Sequence, residues 1–129
     1  MTLDSSAIVA VLRAEKDAAE YAKAVESAAK CRISAVNYVE AAVVIDNSRD
    51  PVASRRFDDF FRASRIAVEV VTPKQAELAR QAYRDFGKGR HKAGLNFGDC
   101  FAYALAKEVD EPLLFKGDDF RHTDIEGAI

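Results

Sequence analysis

Four acidic positions stand where a water-soluble chain has little ordinary use for charge. Asp4 follows the short opening run "MTL". Glu40 lies inside "AVNYVEAAVVID". Asp99 follows "NFG" at the head of "CFAYALAKEV", and the apolar run "PLLFK" breaks at a doubled acid, Asp118 and Asp119. Glu40 is the most telling. One helical turn away from it are Val36, Asn37, Val43 and Val44, and between Ala35 and Ile45 only Asn37 and Glu40 are strongly polar. A carboxylate buried unpaired in such surroundings is costly or takes up a proton. It therefore requires a cation, either a Lys or Arg partner or a metal. Asp4 has a second use as the N-cap of a following helix. Asp99, with Asn96 as cap, falls at the third helical position, where a carboxylate favours the helix dipole. It also shares its stripe with Ala102, Tyr103 and Ala106, which is an apolar stripe.

The bases fall elsewhere, in polar stretches such as "SRRF" and "GKGRHK". Carboxylates that converge without bases repel one another and are stable together only around a hard cation. A site of oxygen ligands, with no His or Cys beside it, selects magnesium or manganese over zinc. Such metals serve phosphoryl chemistry, lowering the pKa of a bound water and neutralising charge on a phosphate. Ser6, two residues past Asp4, is either a capping hydroxyl or a group that holds a metal-bound water or a phosphate oxygen. The loop carrying Lys88, Arg90, His91 and Lys92 is either a solvated basic loop or a contact to a phosphate backbone. His91 is not needed as a general base where a metal hydroxide serves. Consecutive side chains leaving an extended segment point to opposite sides, so Asp118 and Asp119 should not both face one metal. Gly117 is expected to allow the sharp turn before them.

The elements that must position these residues follow from period and punctuation. "MTL", "CRIS", "IAVEVV" and "PLLFK" read as short strands, and "TDI" as one more short strand. Helices are predicted over "SSAIVAVLRAE", "KDAAEYAKAVESAA", "AVNYVEAAVVID", "DPVASRRFDDFFRAS", "TPKQAELARQAYRDFG" and "NFGDCFAYALAKEV". Asp4, Ser34, Asp50 and Asn96 are the predicted caps, with Pro51 at a first helical position. Thr72 and Gln75 read as a capping box. Alternating strands and helices predict an α/β fold in three layers: a short, mostly parallel sheet of four or five strands flanked by helices. Sites in such folds lie outside the carboxyl ends of the strands.

The 129 residues fit one domain, 1–129, with 49% apolar and 31% charged residues and a formal charge of −2. That balance does not by itself indicate nucleic-acid binding, so any such role rests on local patches. No apolar run reaches the roughly 18 residues of a membrane span. An acid at position 4 and no basic leader argue against a secretory signal. Cys31 and Cys100 lie apart in apolar stretches and read as buried, reduced thiols of a cytoplasmic protein.

The segments "LDSSAIVAVL", "ISAVNYVEAAVV", "GKGRHKAGLNFGDCFAYALAK" and "EPLLFKGDDFRHTDI" together resemble PIN-domain ribonucleases, specifically VapC-type toxins of toxin–antitoxin pairs. The resemblance spans nearly the whole chain, in order. It implies a catalytic, metal-binding set of Asp4, Glu40, Asp99 and Asp119, and it singles out Asp119 because the first acid of the pair is often asparagine in the family. Asp118 is then expected to be a turn residue bonding nearby backbone. The resemblance further implies a magnesium-dependent endoribonuclease, with manganese as a substitute, acting on tRNA or ribosomal RNA. It also implies a homodimer that assembles with a VapB-type antitoxin; the candidate substrate contacts, from the residues themselves, are Ser6, Arg90, His91 and Lys92. Two other classes compete. A phosphoacceptor receiver wants an acid pair after the first strand, and a non-catalytic interaction module would keep the fold without the chemistry.

Overall fold

The computed structural model describes residues 1–129. Four strands form one sheet: β1 (Thr2–Leu3), β2 (Arg32–Ser34), β3 (Ala67–Glu69) and β4 (Leu113–Leu114). All pairs are parallel and the order is β3-β2-β1-β4. Six helices accompany them: α1 (Ser5–Leu12), α2 (Ala18–Ser27), α3 (Ala35–Asp46), α4 (Pro51–Ser64), α5 (Pro73–Phe86) and α6 (Phe97–Val109). A short 3-10 turn, Asp119–His122, follows β4.

The three layers follow from burial on both faces of very short strands. Leu113 packs with Ala79, Ala82, Tyr103 and Phe120, a cluster gathered by α5 and α6. Its neighbour Leu114 packs with Leu3, Ile8, Ile33, Ala41 and Phe57, a cluster gathered by α1 to α4. Successive strand residues point to opposite faces, so each face has its own helical cover. Cys31 and Cys100 are buried and unpaired, one in each cluster.

Local chemistry starts the helices where the sequence predicts. Side-chain oxygens of Asp4, Ser34, Asp50 and Thr72 accept from the backbone N–H groups of Ser6, Val36, Val52 and Gln75, at 3.0, 3.3, 2.9 and 3.1 Å. Asn96 and Asp99 form a reciprocal box, with Asp99 N–H donating to Asn96 Oδ1 at 2.9 Å and Asn96 N–H to Asp99 Oδ2 at 3.0 Å. The box predicted at Thr72 is half made. Gln75 turns inward and donates from Nε2 to Glu108 on α6 at 2.5 Å, because it is buried against that helix. No strand forms at "TDI". Instead Leu113 N–H donates to Glu126 O and Ala128 N–H to Leu113 O, both at 2.9 Å, so a later segment supplies a single bridge to β4. The run "IAVEVV" pairs only over Ala67–Glu69, since β3 is an edge strand and Val70 beyond it is exposed.

Charge at the amino end of the sheet is fully answered. Arg32, on β2, donates from Nη2 and Nε to the two oxygens of Glu111 at 2.9 and 3.1 Å, and from Nη1 to Glu69 at 3.3 Å. The Met1 ammonium joins Glu111 at 3.1 Å. Arg32→Ala is expected to lower stability in urea unfolding by about 2 kcal/mol, the scale of hydrogen bonds to charged groups.

Candidate active site

Across β1 the chain order reverses: the sheet grows to β2 and β3 on one side and to β4 on the other. A reversal of this kind opens a crevice at the carboxyl ends of the two strands. Asp4 leaves β1 there, and the Gly117 turn leaves β4 there with φ +95°, as the glycine was expected to allow. Glu40 comes from α3, which begins directly after β2, and Asp99 from the first turn of α6.

Asp4 is 2% exposed. Its Oδ2 accepts from Ser6 N–H at 3.0 Å and from Ser6 Oγ at 2.5 Å. Its Oδ1 is buried and has no hydrogen-bond partner. Burial pushes this carboxyl up to about 6; hydrogen bonds from Ser6 pull it down and the charge of Glu40 raises it further. Asp99 is half-buried and pushed up to about 7. Desolvation is the largest cause, its bond from Asn96 opposes it, and the charges of Asp4, Glu40 and Asp119 all add to it. Asp99 therefore feels the other three acids, and Asp4 feels Glu40. None of them takes part in any of the seven ion pairs of the molecule.

Glu40 corrects one expectation. It is half-buried, not fully buried, and the flanking Val39 and Val43 are 55% and 60% exposed, so α3 is not covered all round. Its carboxylate meets no base. Oε1 accepts from Ser5 Oγ and, at 3.4 Å, from Asn37 Nδ2. The choice left open between a structural ion pair and a metal thus loses its first branch. A bare buried carboxylate oxygen on Asp4, near further acids and with no base paired to any of them, fits a hard divalent cation. The carboxylates do not close into a three-ligand cluster. Each stands on its own part of the chain around the crevice: Asp4 at the end of β1, Glu40 on α3, Asp99 on α6 and Asp119 on the turn after β4.

The other predicted positions divide. The Ser6 hydroxyl spends its one proton on Asp4 and accepts from Lys116 N–H at 2.9 Å, tying the exit of β1 to that of β4. Asp119 is exposed on the 3-10 turn and adds to the field on Asp99. Asp118 makes no side-chain bond to backbone, contrary to expectation; it is exposed and pairs with Arg121 at 3.7 Å. Arg90, His91 and Lys92 lie on the loop between α5 and α6, which a Gly87–Leu95 bridge closes. Arg90 lies over the Tyr83 ring at 5.3 Å, Lys92 is exposed, and His91 Nδ1 accepts from Ala93 N–H at 3.0 Å with its ring edge-on to Phe86. The loop does not line the cleft of about 400 Å³ beside the acids. That cleft is formed by Ser5, Ser6, Val9, Glu15, Glu40, Val44 and Lys116. Sequence reasoning missed Ser5, Asn37, Gly98 and Lys116. Asn37 alone carried a signal, since it sits three residues before Glu40 and so on the same helical face.

The PIN domain family model matches residues 1–126. The chain is 53% identical over 130 residues to Ribonuclease VapC28 of Mycobacterium tuberculosis, covering 100% of this chain and 98% of the relative. It is 46% identical over 125 residues to Ribonuclease VapC30 of the same organism, with 97% and 95% covered. Among solved structures it resembles Mycobacterium tuberculosis VapC20, described as a sarcin-ricin loop cleaving toxin, with a TM-score of 0.74 at 18% identity over 96% of this chain and 95% of that one. A toxin–antitoxin complex from Klebsiella pneumoniae aligns with a TM-score of 0.72 at 14% identity, covering 95% and 92%. At these identities the two structures speak to the fold, which they share with this chain.

The raised acids set a pH dependence. An Asp99 carboxyl that holds its proton up to about 7, against an ordinary 3.8, favours the folded state while protonated. That contribution is complete below the ordinary value and is lost as pH rises through about 7. Asp4 acts in the same sense, through about 6. Without divalent ions the melting temperature should therefore rise as pH falls from 8 to 5. Asp99→Asn should raise it at pH 8 and flatten the profile, as should saturating magnesium. Calorimetric melts across that range, with and without chelator, check both.

Proposed function

This chain belongs to the PIN-domain family, among its VapC ribonucleases, and we propose that its acid crevice cleaves RNA with a divalent cation held by Asp4, Glu40, Asp99 and Asp119. The observation that carries the reading is the buried, partnerless Oδ1 of Asp4 within a set of four acids that no base answers. The cation is magnesium, with manganese as its substitute, and when bound it lowers the pKa of a water and neutralises charge on the phosphate. The residues do the positioning. Ser6 locks Oδ2 of Asp4 and leaves Oδ1 free. The Asn96 backbone holds Oδ2 of Asp99. In the reaction a water oxygen bonds to phosphorus in line with the departing 3′ oxygen, the P–O3′ bond breaks, and that oxygen takes a proton. The products are a 5′-phosphate and a 3′-hydroxyl. Arg90 and Lys92 supply phosphate-backbone contacts outside the crevice. His91, pinned by its own loop, orders that loop.

The substrate class is structured RNA, tRNA or ribosomal RNA, and the regulatory partner is a VapB-type antitoxin. The domain, residues 1–129, works in the cytoplasm. The chain assembles as a homodimer, and further with antitoxin. A groove of about 420 Å³ between α5 and α6, lined by Tyr83, Phe97 and Phe101 with Phe97 73% exposed, is the face a second copy would cover. The receiver alternative loses ground because a single acid follows β1 and the doubled acid follows β4.

Purified protein should cut structured RNA with magnesium and stop with chelator. Asp4→Asn and Asp99→Asn should each lower the rate by at least about 100-fold, the upper end of the loss for groups that only orient metal ligands. Undiminished cutting in both variants would overturn the assignment. Asp119→Asn should cost far more than Asp118→Asn, whose exposed pairing is worth little, so its rate should stay within about twofold. Tyr83→Glu should convert a dimer to a monomer by light scattering.

A further inference from the structure

The carboxylate of Glu40 rests on Gly98. A Cβ built at Gly98 would collide with Glu40 Oε2 and stand 2.6 Å from Cδ and 2.8 Å from Oε1. Gly98 occupies the first turn of α6, between the Asn96 cap and Asp99, and its φ is not left-handed. No turn requires glycine there, and within a helix glycine is less favourable than alanine. Its use is the space that it leaves. Asn37 closes the arrangement from the other side. It is 0% exposed, and its Nδ2 donates to Gly98 O at 2.9 Å and to Glu40 Oε1 at 3.4 Å. Its Oδ1 has no partner. A buried amide that leaves its acceptor unpaired has been placed for its donors. Ser5 Oγ donates to the same Oε1 from α1. Three helices thus fix one side chain.

We propose that Gly98 and Asn37 are positioning residues: the bare Cα of Gly98 is the seat of the Glu40 carboxylate, and Asn37 fastens that seat to the helix that carries Glu40. The inference rests on the metal-site reading above and adds the groups that set its geometry. Glu40 has a flexible side chain and is half-buried. Without the seat its carboxylate would swing toward solvent, and the spacing between Glu40 and Asp99 would be lost.

The test is a double-mutant cycle read by manganese binding without RNA, measured by calorimetry on wild type, Gly98→Ala, Glu40→Ala and the double variant. Gly98→Ala should weaken manganese about tenfold, the scale for groups that orient metal ligands. It should weaken binding no further in the Glu40→Ala background. In cleavage assays its kcat should fall while KM holds. Equal losses in both backgrounds, or unchanged binding in Gly98→Ala, overturn the proposal. Asn37→Leu, which removes the donors, should weaken manganese as Gly98→Ala does; unchanged affinity removes Asn37 from it. If Gly98→Ala fails to fold and the double variant folds, the clash with Glu40 is supported. If neither folds, glycine serves the packing of α6 and the proposal fails. A wild type that binds no manganese overturns the metal reading and this inference with it; a wild type that binds with normal-binding variants overturns this inference alone.

Discussion

Asp4 is held at the end of the central strand with one oxygen bonded and the other bare, in a place that water barely reaches. Much of the molecule can be understood from that strain. Taking a carboxylate out of water is unfavourable unless something answers its charge. Ser6 answers one oxygen. The charge of Glu40 raises its carboxyl instead of answering it. At the opposite end of the sheet the arrangement is reversed: Arg32, Glu111, Glu69 and the chain's own ammonium neutralise one another within hydrogen-bond distance. Paired charge gathers around Arg32 at one end of the sheet, and unpaired carboxylates gather at the other.

The strands contribute little ladder of their own, since none exceeds three residues. Alignment at the crevice comes from helices whose first turns meet there. Asp4 caps α1, Asn37 lies one turn into α3, and Asp99 closes the box that starts α6. The capping chemistry and the site chemistry share atoms. Asp99 Oδ2 and Asp4 Oδ2 are both occupied by helix starts, so each acid has its orientation fixed by the backbone that it serves.

The elements and the acids were legible because each rests on local signals. Caps sit next to the helices that they start, and a lone glutamate in a run of valines is visible within one turn. What was not legible depends on contacts across the fold. Gly98 matters because of Glu40, 58 positions away, and Asn37 because its amide reaches Gly98 O across 61. Nothing at either position alone states that. Gln75 misled for the same reason: its spacing fits a capping box, yet burial against α6 offered its amide a charged acceptor in Glu108. Asp118 misled because an exposed acid found Arg121 three residues on and left the backbone alone. Lys116 went unnoticed as a cleft residue because its ion pair with Glu15, at 3.4 Å, involves a residue just past α1.

The meeting of helix starts has a consequence for the order of events. The N-terminus of a helix carries partial positive charge, and α1 and α6 both present theirs beside the crevice. While the four carboxylates are ionised and uncompensated, their charge outweighs those dipoles, and the crevice repels a polyanion. One divalent cation would halve that charge, and the two helix dipoles would offset part of what is left, so the repulsion would weaken. A cation at the crevice would therefore ease the approach of a phosphate backbone as well as its cleavage, and cation before RNA would be the favoured order of binding.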